Sequence, residues 1–239
     1  MTEKSGHSSV CLKSTMPNLI HKTRAGLLAT IFLLLCSSSA TAVNQIEFHN
    51  DIVPLFTRFG CNAGACHGAA VGRGNFRLSL FGSDPESDYD SVVRHLRGRR
   101  INLAVPEESL LLLKPTEQVA HGGGNRFDID SDAVTMITEW VRNGASKTRS
   151  RQFIDIAVTP TVYHAKAPGD SIEVKVTATY SDGSKRYVTS STVLIAEDDT
   201  GVNIDNQLAA ITTKRRGRHV VIARYLTEVR PIEVIVPLT

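Results

Sequence analysis

Hydrophobic positions follow two different periods along this chain. From about residue 46 to residue 145 they recur at intervals of three and four, the signature of amphipathic helices. Ile46, His49, Ile52, Val53, Phe56 and Phe59 share one face and predict a helix running into Gly60. Ala133, Met136, Ile137, Trp140 and Val141 predict another over 131–143, with Ser131 as its cap, Asp132 in its first turn and Gly144 just past its end. Shorter helices are expected near 88–96 and 107–114. The glycine-rich stretches 68–75 and 121–125 read as loops.

From Phe153 onward the period shortens to two. Ile172, Val174, Val176, Ala178 and Tyr180 line one face of a strand over 171–180, and Ser181-Asp182-Gly183-Ser184 is a hairpin turn signal. Further strands are expected at 153–159, 185–189, 193–196, 209–212, 219–226 and 232–236. Short alternating runs with frequent turns predict an antiparallel β-sandwich. The charged, unpatterned segment around 146–151 (SKTRSR) reads as a linker.

Residues 1–42 carry a third pattern. Lys4, Lys13, Lys22 and Arg24 precede an uncharged apolar run from Ala25 to Cys36, and Ala40-Thr41-Ala42 offers a small-residue cleavage site. That order predicts a secretory signal peptide cut between Ala42 and Val43. The run, at roughly 12 residues, is shorter than the ~20 a spanning helix needs. Cleavage changes the charge balance. The chain has 27 Lys and Arg against 24 Asp and Glu, and losing four basic residues and one acidic residue leaves 23 of each. A neutral remainder gives no ground for nucleic-acid binding. Cys11 and Cys36 leave too, and the two cysteines that remain are too few for a disulfide-stapled fold.

Those two lie in Gly60-Cys61-Asn62-Ala63-Gly64-Ala65-Cys66-His67-Gly68. Covalent haem attachment needs two thiols to add to the vinyl groups and a histidine beside the second thiol to bind the iron, usually spaced Cys-x-x-Cys-His. Here four small residues separate the cysteines, and Gly64 permits positive φ, so a bulged loop can still bring both sulfurs to one ring. His67 is the expected proximal ligand. His121 is the preferred distal one, because the glycines of His121-Gly122-Gly123-Gly124 let backbone approach a flat ligand closely. Met136 lies on a helical apolar face where packing accounts for it, and His49 and His95 read as core or surface residues. The basic stretch 94–100 (RHLRGRR) reads either as a partner for haem carboxylates or as a solvated face. Two other readings of the cysteines stay open. One is a local Cys61–Cys66 disulfide in a non-redox cell-surface binding module. The other is structural zinc on Cys61, Cys66, His67 and a further histidine, for which adjacent Cys-His ligands are sterically awkward. An iron–sulfur cluster, needing four cysteines, is excluded.

The segments Phe48-His49-Asn50-Asp51-Ile52-Val53-Pro54-Leu55-Phe56, GCNAGACHG and Phe76-Arg77-Leu78-Ser79-Leu80-Phe81-Gly82, extended by SLLLLK, HGGG and WVRNGA, together resemble the planctomycete-type cytochrome c domain over about 46–146. The resemblance implies haem c bound through Cys61 and Cys66, with His67 as proximal ligand. The wider cysteine spacing and the lack of a loop methionine depart from a standard class I cytochrome c and leave the distal ligand open. Val158-Thr159-Pro160, Gly169, the stretch 177–184 and Val188-Thr189 are similar to group 2 bacterial immunoglobulin-like (BIG2) domains, which serve as spacers or adhesive modules. The usual tryptophan strand of those domains is replaced here by Thr192-Val193-Leu194-Ile195. The expectation is therefore a two-domain exported chain. It comprises a signal peptide (1–42), an N-terminal all-α cytochrome c-like haem domain (43–146), a linker (147–152) and a C-terminal all-β immunoglobulin-like sandwich (153–239). Its expected work is haem binding and electron transfer with a redox protein partner, in the periplasm or at the cell surface, the sandwich contacting glycan or protein. No paired acid–base or nucleophile constellation marks it as an enzyme.

Overall fold

Pro54 decides how the chain enters its first helix. The computed structural model describes residues 45–239; the expected signal peptide lies outside the described residues. Proline has no N–H to give to the carbonyl four residues back, so Asn50 O is released from the helical ladder. A wide turn over Phe48–Ile52 results, closed by Val53 N–H onto Phe48 O, and only then does a regular helix, α1 (Val53–Arg58), begin. The freed Asn50 carbonyl accepts the Tyr225 hydroxyl at 2.6 Å, which ties this turn to the strand-rich part of the chain.

The remaining helices are short: α2 (Pro85–Tyr89), capped by Asp84 on Ser87 N, α3 (Leu110–Leu113) and α4 (Asp132–Arg142). Helix α4 is the longest at 11 residues, and Ser131 caps it as expected. None of this amounts to the large all-α domain expected from the sequence. Isolated helices below ~12–15 residues are marginal, and these are held by packing on an aromatic cluster. Phe48 lies 5.2 Å from Tyr89 and 5.3 Å from Trp140, ring centre to ring centre. The Trp140 Nε1 and Tyr89 hydroxyl donate to Ser146 O and Ala145 O.

The described chain is instead mostly β, with three sheets. They are built from β1 (Phe153–Thr159), β2 (Val162–His164), β3 (Ser171–Glu173), β4 (Lys175–Tyr180), β5 (Lys185–Tyr187), β6 (Val193–Ala196), β7 (Val202–Asp205), β8 (Ala210–Thr213), β9 (Gly217–Tyr225) and β10 (Glu228–Val236). Their orders are β1-β4-β5, β2-β10-β9-β6 and β3-β8-β7. All pairings are antiparallel except β2 on β10. The single strand expected over 171–180 breaks at Val174, whose N–H turns to Ala209 O. β3 then joins β8 while β4 joins β1 and β5, so one alternating run serves two sheets. Inward positions of β4, β9 and β10, among them Val176, Tyr180, Val221, Tyr225, Ile232 and Val234, form the β core.

Residues 45–239 make one compact unit. Within it the helical segment and the sheets share a buried polar junction. Arg186 of β5 pairs with Asp51 at 2.8 Å. Asn50 Nδ2 donates to Arg151 O at 3.0 Å, and Ser150 N to Glu47 Oε1 at 2.9 Å, so the expected linker is bonded to the start of the helical segment.

Candidate functional site

Cys61, Cys66, His67 and His121 all line one cavity of about 420 Å³, within the ~300–1,000 Å³ of pockets that take small molecules and cofactors. The loop that carries the first three folds on its own backbone. After α1, Gly60 turns at φ +70° and Cys61 N–H bonds Phe56 O at 2.8 Å. Cys66 N then reaches Ala63 O, His67 N reaches Cys61 O and Gly68 N reaches Ala63 O, at 2.9, 2.9 and 3.0 Å. Gly68 has no room for a side chain: a Cβ there would stand 2.1 Å from Asn62 O.

Each histidine is oriented by a backbone carbonyl. His67 Nδ1 sits 3.0 Å from Phe76 O, and His121 Nδ1 sits 2.8 Å from Gly124 O. A carbonyl only accepts, so Nδ1 carries the hydrogen and Nε2 holds the lone pair of the neutral ring. The two imidazoles lie 6.4 Å apart, centre to centre, and 15° from parallel. Burial lowers the His67 pKa from its ordinary value, helped by nearby His121 and Arg100 and opposed by the Phe76 hydrogen bond. The ring is therefore neutral near pH 7. Burial also pushes the Cys61 thiol up to about 12. Arg126 Nη2 donates to Cys66 Sγ at 3.3 Å, and both cysteines are free thiols.

The cavity walls are apolar, from Leu55, Phe56, Leu78, Leu111, Phe127 and Ile137. The charges around it are all positive: Arg73, Arg99, Arg100, Lys114 and Arg126, with no carboxylate among the lining residues. The 94–100 stretch thus contributes two of its arginines to the site. Sequence spacing did not reveal Arg73, Lys114 or Arg126, because they reach the cavity from three separate segments. The only local hint is that Arg73 stands between two glycines.

Among the described residues no group of three or more His, Cys, Asp or Glu is placed to hold a metal ion. The expected metal-binding centre, whether iron or zinc, is corrected accordingly: the polypeptide by itself builds no coordination cluster. His67 Nδ1 is held by Phe76 O, which leaves Nε2 as its available nitrogen, and the Cys66 sulfur accepts from Arg126. The other candidates lie outside the cavity lining. His49 Nε2 faces Glu86 at 3.0 Å, His95 Nδ1 lies 3.4 Å from Arg100, and Met136 packs on the core.

No protein-family description matches the chain, and no curated protein does. Among solved structures, it is similar to surface layer protein SbsC, domains 1–6, at 18% identity and a TM-score of 0.32, over 37% of this chain and 13% of that one. It is also similar to domains 4 and 5 of the S-layer protein SbsC, at 17% identity and a TM-score of 0.31, over 37% of this chain and 54% of that one. The match thus spans about an eighth of the first of these chains and little more than half of the second. Likeness at this level carries no argument about fold or function.

Proposed function

We propose that the cavity takes haem c, with Cys61 and Cys66 as the residues that would attach it and His67 and His121 as those that would hold its iron, and that the exported chain transfers electrons to or from a redox protein in the periplasm or at the cell surface. The paired imidazoles carry this reading. Their rings lie 6.4 Å apart, centre to centre, and 15° from parallel, lining the same cavity as both thiols. When bound, haem supplies one-electron exchange at iron.

The chain's own groups have separate tasks. Phe76 O and Gly124 O fix which nitrogen of each ring is free, a restraint behind the ligand that orients it. The apolar walls would keep water from the bound group, and the cationic rim would offset its carboxylates. The signal-peptide pattern of 1–42 supports export.

The test is to produce the chain in a host with haem c maturation factors. The expected product keeps its Soret and α/β bands after acid–acetone extraction. A Cys61→Ser/Cys66→Ser variant should release its colour, and His67→Ala should lose the low-spin spectrum. A colourless protein with a mass two protons below the reduced chain would overturn the proposal in favour of a non-redox module closed by a Cys61–Cys66 disulfide.

A further inference from the structure

Three neighbouring strands depart from the alternation seen elsewhere in the β unit. In β4 the buried Val176, Ala178 and Tyr180 alternate with Lys175, Thr177 and Thr179, as expected of an antiparallel sheet with one face in water. In β6, β9 and β10 the apolar residues run on: Val193 to Ala196, Val220 to Ala223, and Pro231 to Val236 broken only by Glu233. Such runs belong to strands covered on both faces. Here the chain covers only one. Leu194, Val221, Ala223, Ile232 and Val234 are buried in the β core, whereas Ile195, Val229 and the neighbouring Val162 of β2 are 41%, 41% and 45% exposed.

Cross-strand register sets the outward residues in rows. The central row is Ile195, Ile222 and Pro231. In the row to one side Arg224 stands between Val193 and Val229. In the row to the other side Glu233 stands between Val220 and Val162. The face therefore carries an apolar centre with one cation and one anion placed symmetrically about it. Arg224 is uncommitted: its guanidinium lies over the exposed Phe81 ring at 4.9 Å and makes no hydrogen bond or ion pair among the described residues. Glu233 pairs with Arg218 through one oxygen, Oε1, which leaves the other to accept.

We propose that the outer face of the β2-β10-β9-β6 sheet is a homodimer interface, its occupant a second copy of this chain. The charge pattern selects that occupant because it is complementary to itself. A two-fold axis lying across the strands along the central row keeps each residue in line with its own strand and exchanges the rows on either side. The two apolar faces then meet as in a β-sandwich, about 10 Å apart. Arg224 of each copy comes to lie over the row that holds Glu233 of the partner subunit. Those two residues are one strand apart, about 4.8 Å, a sideways step that an arginine side chain spans. The interface is independent of what fills the cavity.

The test is sedimentation equilibrium of the full exported chain at about 100 µM, which should give twice the chain mass. Ile195→Asp, at an exposed position in the central row, should weaken the dimer at least about tenfold with an unchanged circular dichroism spectrum. Arg224→Glu and Glu233→Arg set like charges against each other twice in their own dimers, and each should sediment as a single chain. An equimolar mixture of the two should regain dimers containing one of each, because both cross-copy pairs are then opposite in sign. A single-chain mass for the unaltered protein, a dimer indifferent to Ile195→Asp, or charge variants that do not recombine on mixing would each overturn the interface. A monomer that instead sediments with phosphatidylcholine vesicles, and loses them in Ile195→Asp, would overturn it in favour of a lipid surface.

Discussion

Gly123 offers the sharpest perturbation of His121. An alanine there would place its Cβ 2.8 Å from His121 Cε1 and 3.2 Å from Nε2, where ordinary contact starts at 3.4 Å. The ring must retreat by about 0.6 Å to relieve the overlap. It is not free to slide, because Nδ1 is held to Gly124 O at 2.8 Å. Ligand geometry has to be kept within about 0.5 Å for a working site, and a metal–nitrogen bond near 2 Å has little slack to absorb the shift. Gly123 has no left-handed φ, so the added methyl strains the ring contact rather than the backbone. Its neighbour Gly122 is the matched control, since a methyl added there would meet nothing within 4 Å. On the haem-loaded chain, Gly123→Ala should convert much of the ferric low-spin absorption and paramagnetic resonance signal to high-spin, while Gly122→Ala leaves both unchanged. A low-spin spectrum intact in Gly123→Ala, or equal change in both variants, would remove His121 from the proposed distal position.

Three further outcomes follow from the same structure. Arg186→Met strands the buried Asp51 carboxylate and should cost about 3 kcal/mol at pH 7, roughly 6–12 °C in Tm for a chain of this size. Burial already raises the Asp51 pKa against the pull of Arg186, and losing the arginine raises it further. The deficit should therefore shrink as pH falls from 7 towards 4, and Asp51→Asn/Arg186→Met should recover most of it; a pH-independent deficit in urea unfolding, or no rescue, contradicts this account. In the haem-free chain, His67 has a folded pKa below its ordinary 6.5, so the unfolded state binds more protons and stability falls as pH drops below about 6.5. His67→Gln should flatten that slope, and an unchanged slope would assign it to other groups such as His49, which is lowered the same way. Finally, a thiol held at about 12 is thiolate in only about one molecule in 10⁴ at pH 8. Iodoacetamide should therefore label Cys66 well before Cys61 by peptide mass spectrometry, and equal rates would refute the burial of the Cys61 sulfur.

Local pattern alone determined a good deal of this protein. The cap and spacing around Ser131 and Trp140 gave a helix over 131–143 that in the structure is one residue shorter at each end. The two-residue alternation located β1 and β9 and most of β4 and β10, and the motif from Cys61 to His67, with the His121 loop, named four residues that meet in one cavity. These signals are read within a few neighbouring residues, which is why they survive without tertiary information. Other features depended on distant partners. Pro54 shortened the first helix, and where the freed Asn50 carbonyl went required Tyr225, 175 residues away. The break at Val174 followed from Ala209 offering an acceptor, which divided one alternating run between two sheets. The cationic rim is of the same kind: Arg73, Arg99, Lys114 and Arg126 lie on separate segments, and only burial of the apolar walls between them brings like charges to one opening. Periodicity reports which face of an element is apolar; which faces meet, and which polar groups are carried along with them, is decided by packing of the whole chain.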